Sequence, residues 1–152
     1  MRVSTVLGRL ALVLAAGLLM IAPAQAGEKK LMHCFAFTVV EGATDADWTA
    51  FQKATDALPG KIPGLTRVWH GKLRSPLTLF NTDAETRKKL RGGAAEVTGP
   101  VSSIRRQYGV CMEMNDEAAL KQYASHPAHS EWVKVYEKVR VYGTTTFDIL
   151  GQ

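Results

Sequence analysis

Apolar and polar side chains alternate from Leu31 to Val40 (LMHCFAFTVV), which predicts a strand. His33, Phe35, Phe37 and Val39 fall on one face; Cys34, Ala36 and Thr38 fall on the other. Glu41-Gly42 ends it, and Thr44 with Asp47 has the spacing of a capping box. The helix that follows carries Trp48, Phe51, Thr55 and Leu58 on one stripe and stops at Pro59-Gly60. After a turn at 61–64, Leu65 to Leu73 reads as a second strand with Leu65, Arg67 and Trp69 on one face. Tyr108 to Met114 reads as a third, with Tyr108, Val110, Met112 and Met114 opposite Gly109, Cys111 and Glu113. Asn115-Asp116-Glu117 caps a helix that turns Leu120 and Tyr123 to one side. Ser125-His126-Pro127 breaks that helix, because the residue before proline resists helical geometry. Pro127 then suits the first turn of another helix, whose stripe is His129, Trp132, Val133 and Tyr136. Arg140 to Leu150 is rich in β-branched and aromatic residues and predicts a last strand.

This order predicts an α+β fold: an antiparallel sheet of ferredoxin-like type with helices on one face. Between the second and third strands lie 34 residues, Arg74 to Gln107, a long connection for a compact domain. A short helix at Asp83–Arg91 is expected inside it. The segment holds seven Lys/Arg against three carboxylates, so the basicity of the chain is concentrated here. It reads as a solvated loop and helix face, or as a cover over a pocket that favours anions.

The first 26 residues have a different character. Arg2 and Arg9 precede thirteen almost wholly apolar residues, Leu10 to Ala22, and Ala24-Gln25-Ala26 leads into polar Gly27-Glu28-Lys29-Lys30. These are the three parts of a secretory signal peptide, with cleavage expected after Ala26. As a helix the apolar run reaches about 20 Å, short of a bilayer core of about 30 Å, so no stable membrane anchor is expected after cleavage. One domain then spans 27–152, secreted or periplasmic, in an oxidising compartment. It carries 17 basic and 14 acidic residues, too even a balance to suggest nucleic acid.

His129 is the most informative single side chain. It falls on an apolar stripe in a first helical turn, where burial and the helix dipole both disfavour a cationic ring. It is either a core histidine satisfied by a backbone carbonyl or a neutral general base. Tyr123 shares the inward side, either as a packing residue or as a phenol that orients a carbonyl oxygen. His33, Phe35, Phe37, Tyr108, Val110, Met112 and Trp132 are expected to line a pocket between sheet and helices. His126, His129 and His33 lack a carboxylate at ligand spacing, so no metal site is expected and no cofactor is called for. There is no G-x-S-x-G motif and no phosphate-binding glycine loop. Cys34, Ala36, Gly109 and Cys111 form a small, uncharged outer face that a second subunit would cover. Were His33 beside Tyr108, the cysteines would stand two residues apart along neighbouring strands and remain free, buried thiols.

His33-Cys34-Phe35-Ala36-Phe37, Glu41-Gly42, Leu58-Pro59-Gly60-Lys61-Ile62-Pro63-Gly64, and Tyr123 with His126-Pro127-Ala128-His129 occur in the order of the stress-responsive A/B-barrel (Dabb) family, which the chain resembles over nearly all of 27–152. The resemblance implies a dimeric α+β barrel in which two sheets pack face to face. A plant branch of that family, the polyketide cyclase olivetolic acid cyclase, places a tyrosine and a histidine where Tyr123 and His129 stand, and a pocket histidine at His33. Many relatives have a histidine where this chain has Tyr108. Two functional expectations follow. One is a homodimer that binds a small apolar or aromatic ligand. The other is a cyclase or lyase in which His129 takes a proton alpha to a carbonyl while Tyr123 orients the oxygen.

Overall fold

Alternation sets the sheet. The computed structural model describes residues 29–151; the expected signal peptide lies outside them. In β1, Leu31–Val39, the side chains of Phe35 and Phe37 are buried against the helices. In α1, Asp45–Asp56, Thr44 is the N-cap: its hydroxyl accepts from the Asp47 amide while the Asp47 carboxylate accepts from Thr44. Then come β2 (Leu65–Thr82), α2 (Ala84–Arg91), β3 (Val101–Met114), α3 (Glu117–Ser125), α4 (Pro127–Val139) and β4 (Arg140–Leu150). The sheet order is β2-β3-β1-β4 with every pairing antiparallel. Phe51 from α1, Leu58 from the turn that follows it, Tyr123 from α3, and Trp132, Tyr136 and Val139 from α4 close one core against Phe35, Phe37, Val110 and Met112. Pro127 opens α4 at its first turn, and the His126 Nδ1 caps it by accepting from the Ala128 amide at 3.1 Å.

Three expectations are corrected. The 74–107 segment is not a loop. β2 and β3 run on as a hairpin through Leu77↔Arg106 to Thr82↔Val101, and α2, capped by Asp83, sits at its tip. Ladder hydrogen bonds hold this arm, not a buried face, so it lacks the hydrophobic alternation that would have announced it. Arg106, one of its basic residues, is buried and donates to Thr38 Oγ1, Thr145 Oγ1 and the Gly143 carbonyl.

The face assignment in β2 also changes. The register slips between Leu65, opposite Met114, and Arg67, opposite Glu113. The bulge leaves Leu65 in the core and turns Arg67 and Trp69 outward, where the Arg67 guanidinium lies 4.4 Å from the centre of the Trp69 ring.

The cysteines are not free. His33 pairs with Met112 and Phe37 with Tyr108, so Cys34 stands directly opposite Cys111. Their Cα atoms are 4.1 Å apart and the two form a disulfide.

Candidate functional site

The β1–β4 pairing puts His33 opposite Asp148, and Asp148 Oδ1 is 2.6 Å from His33 Nδ1. A carboxylate only accepts, so Nδ1 carries a proton, and whenever the ring is neutral Nε2 is an acceptor. Tyr123, from α3, is buried, with its ring 5.9 Å from His33 and 4.4 Å from His129. His129 also stacks on Trp132 at 5.7 Å. One carboxylate, two imidazoles and a phenol thus meet where β1, β4, α3 and α4 converge.

Burial is the main influence on both titrating members of the cluster. It holds the His129 imidazolium below its ordinary pKa. A hydrogen bond to the Ala124 carbonyl opposes that shift, and the nearby His33 adds to it. Burial thus disfavours the charged form of the His129 ring more than the Ala124 carbonyl favours it. With one nitrogen donating to Ala124, the other is an unprotonated acceptor. Burial, reinforced by Tyr136, pushes the Tyr123 phenol well above its usual range, so it remains a hydrogen-bond donor at any physiological pH.

The other expected site residues divide. Phe35 and Trp132 belong to the same aromatic cluster, with rings 6.0 Å apart. Phe37, Val110 and Met112 are sealed in the core. Tyr108 is elsewhere, against Phe37, Trp48, Phe51 and His70. Among the described residues, no three His, Cys, Asp or Glu side chains come close enough to share a metal ion.

On the opposite side of the sheet the structure has an open groove of about 540 Å³. Cys34, Ala36, Gly109, Cys111, Trp69 and Phe147 line it, and Trp69 and Phe147 are 61% and 50% exposed. This is the small-residue face expected from the sequence, with two large apolar side chains at its margins.

Two functional groups escaped the sequence reading. Asp148 belongs to the His33 cluster only through the β1–β4 register. His70 hydrogen-bonds to both Asp56 and Tyr108. Its one sequence signal is its place between Val68 and Lys72 on a strand face that the bulge turns inward.

No family pattern and no characterised relative matches the chain by sequence. Solved structures do. A Dabb family protein with a ferredoxin-like fold from Mesorhizobium loti superposes with a TM-score of 0.53 at 16% identity, covering 82% of this chain and 99% of its own. A dimeric ferredoxin-like protein of unknown function from Jannaschia sp. CCS1 gives 0.51 at 26% identity, covering 79% and 97%. A hydroxynitrile lyase from Passiflora edulis gives 0.55 at 10% identity, covering 83% and 95%. With the strand order described above, these likenesses make the fold of this chain the ferredoxin-like α+β fold of Dabb-type domains.

Proposed function

We propose that the chain is an exported homodimer of Dabb type that binds a small apolar or aromatic molecule at the His33–Tyr123–His129 cluster. The observation that carries this reading is the convergence itself. Tyr123 lies 4.4 Å from His129 and 5.9 Å from a His33 held by Asp148, and both imidazoles are partly exposed. A ligand meets them at that solvent-facing edge, with apolar ring surface beneath and polar atoms to fix its orientation. Dimerisation is supported by the exposed Trp69 and Phe147 beside a groove of small residues, an apolar patch that a second sheet would bury. Export after cleavage at Ala26 is supported by the Cys34–Cys111 disulfide, since such bonds persist in oxidising compartments.

One observation favours a second reading, proton transfer. His129 is a neutral base with a free nitrogen, and Tyr123 beside it is a permanent donor. That pairing suits abstraction of a proton alpha to a carbonyl, as in a cyclase or lyase, with the phenol on the developing oxyanion.

Native mass spectrometry of the protein recovered from the expressing host tests the first reading. The expected result is a dimer with retained small molecules that are lost from Tyr123→Phe and His129→Gln. A ligand-free monomer overturns it. Deuterium exchange at the alpha carbon of a simple aryl methyl ketone in D₂O tests the second. Exchange that is unaffected by His129→Gln removes it.

A further inference from the structure

The end of the core away from His129 holds a second imidazole engaged on both nitrogens. Asp56 Oδ1 is 3.0 Å from His70 Nε2, and the Tyr108 hydroxyl is 2.9 Å from His70 Nδ1. Asp56 can only accept, so Nε2 carries a hydrogen, and whenever the ring is neutral Nδ1 accepts from Tyr108. In that state the phenol proton is committed to His70. Toward any other group the Tyr108 oxygen is an acceptor.

Gln52, an exposed side chain of α1, acts on the same hydroxyl as a donor would, lowering its pKa against the larger effect of burial. Gln52 and Tyr108 both line a cavity of about 680 Å³, together with Trp48, Lys72, Leu73 and Pro76. The volume is that of a small-molecule site. The Trp48 and Tyr108 rings lie 5.0 Å apart at 35°, which gives the cavity an aromatic wall. Lys72 stands opposite Tyr108 in the strand register and supplies a cation; Glu41 and Asp45, at the rim, supply the opposing charges.

We infer that this cavity binds a planar aromatic molecule through an acidic O–H group, which donates to the Tyr108 oxygen in place of Gln52 while the ring lies against Trp48. The Asp56–His70–Tyr108 chain is then a proton relay. The ligand O–H bond breaks and its proton passes to the Tyr108 oxygen, while Tyr108 gives its own proton to His70 Nδ1. The products are a ligand phenolate beside Lys72 and a His70 imidazolium paired with Asp56. No electrons are exchanged and no further reactant is needed. Burial raises the Tyr108 pKa, so Tyr108 is a neutral phenol both before and after the relay.

Titration with 4-nitrophenol and with 4-nitroanisole, which has the same ring but no donor, tests the assignment. The hydroxyl is expected to improve binding about five- to tenfold, the worth of one good hydrogen bond. Tyr108→Phe keeps the ring and is expected to abolish the preference. Asp56→Asn, at an exposed position, is expected to shrink it, because the amide no longer fixes which His70 nitrogen accepts. The indole N–H resonance of Trp48 is expected to move on binding and that of Trp132 to stay. Equal binding of the two compounds overturns the assignment, as does a preference that survives Tyr108→Phe. Should Tyr108→Phe fail to fold, an undiminished preference in Asp56→Asn overturns it as well.

Discussion

Replacing Cys34 and Cys111 together by alanine removes a crosslink between the two central strands. The bond closes a loop with a sequence separation of 77. The entropy withheld from the unfolded chain by such a loop corresponds to about 4.5 kcal/mol at 25 °C. Alanine loses little on the native side, since both positions face a groove of small residues and Ala36 already occupies that face. At a urea slope of about 1.5 kcal/mol/M, the full effect lowers the unfolding midpoint by roughly 3 M. The assay is urea unfolding of the oxidised protein, the dithiothreitol-reduced protein and the double variant, all at one protein concentration. Holding concentration fixed matters because a dimer gains stability by mass action. The reduced protein and the variant are expected to unfold together, well before the oxidised protein, with a steeper slope because their unfolded chains are more expanded. A loss of less than about 1 kcal/mol, or two titratable thiols in the unreduced protein, would refute the reasoning.

Other perturbations read different parts of the structure. Thr55→Val is nearly isosteric, yet it strands the buried Trp132 indole N–H, which donates to Thr55 Oγ1 at 2.9 Å; a loss of about 1–3 kcal/mol is expected by thermal denaturation. Gly64→Ala meets both a positive φ of 82° and the Ala119 Cβ, 2.5 Å from where the new methyl would sit, so it is expected to cost more than about 1 kcal/mol in the same assay. The NMR titration of His129 is expected to have its midpoint below the ordinary imidazole value of about 6.5, because burial disfavours its charged form. As pH falls past that value the unfolded chain takes up the proton first, so His129 withdraws stability between the unfolded and folded pKa values. His129→Gln should then flatten the stability profile on the acid side of neutrality, and an unchanged profile would show that the ring titrates normally.

Local signals in the chain were enough to place most elements, because each rests on a few adjacent side chains. The Thr44/Asp47 box, Pro127 after a capping His126, and the alternation in β1 and in 108–114 all appear where their chemistry puts them. Pairing was not legible. The outer halves of β2 and β3 bury no continuous face, so Arg74 to Gln107 looked like a charged connection when it is mostly hairpin. The disulfide was missed for a related reason: whether Cys34 meets Cys111 depends on the register of two strands 77 residues apart, and composition does not carry that register. Of the candidate site, His33, Tyr123 and His129 were readable from face and stripe. Asp148 and Asp56 were not, because each reaches its imidazole from a separate element.

The bulge at the start of β2 ties these features together. Side chains alternate along a strand, so without the slip between Leu65 and Arg67 the face of Leu65 would continue through Trp69. Trp69 would then enter the core, and His70 would turn outward beside Cys111. With the slip, Trp69 is delivered to the open face that carries the groove of small residues. By the same stroke His70 is placed against Phe51, within reach of Asp56 on α1 and Tyr108 on β3. One extra residue in the ladder thus supplies an aromatic anchor to one side of the sheet and an imidazole to the other. Deleting Thr66 would close the bulge without changing the pairing beyond it: alternation from a buried Leu65 then puts Arg67 outward, Val68 inward, Trp69 outward and His70 inward, the faces they already hold. The groove's apolar margin and the His70 hydrogen bonds are therefore both expected to survive in that variant, whereas Trp69→Lys alters the first and leaves the His70 contacts in place.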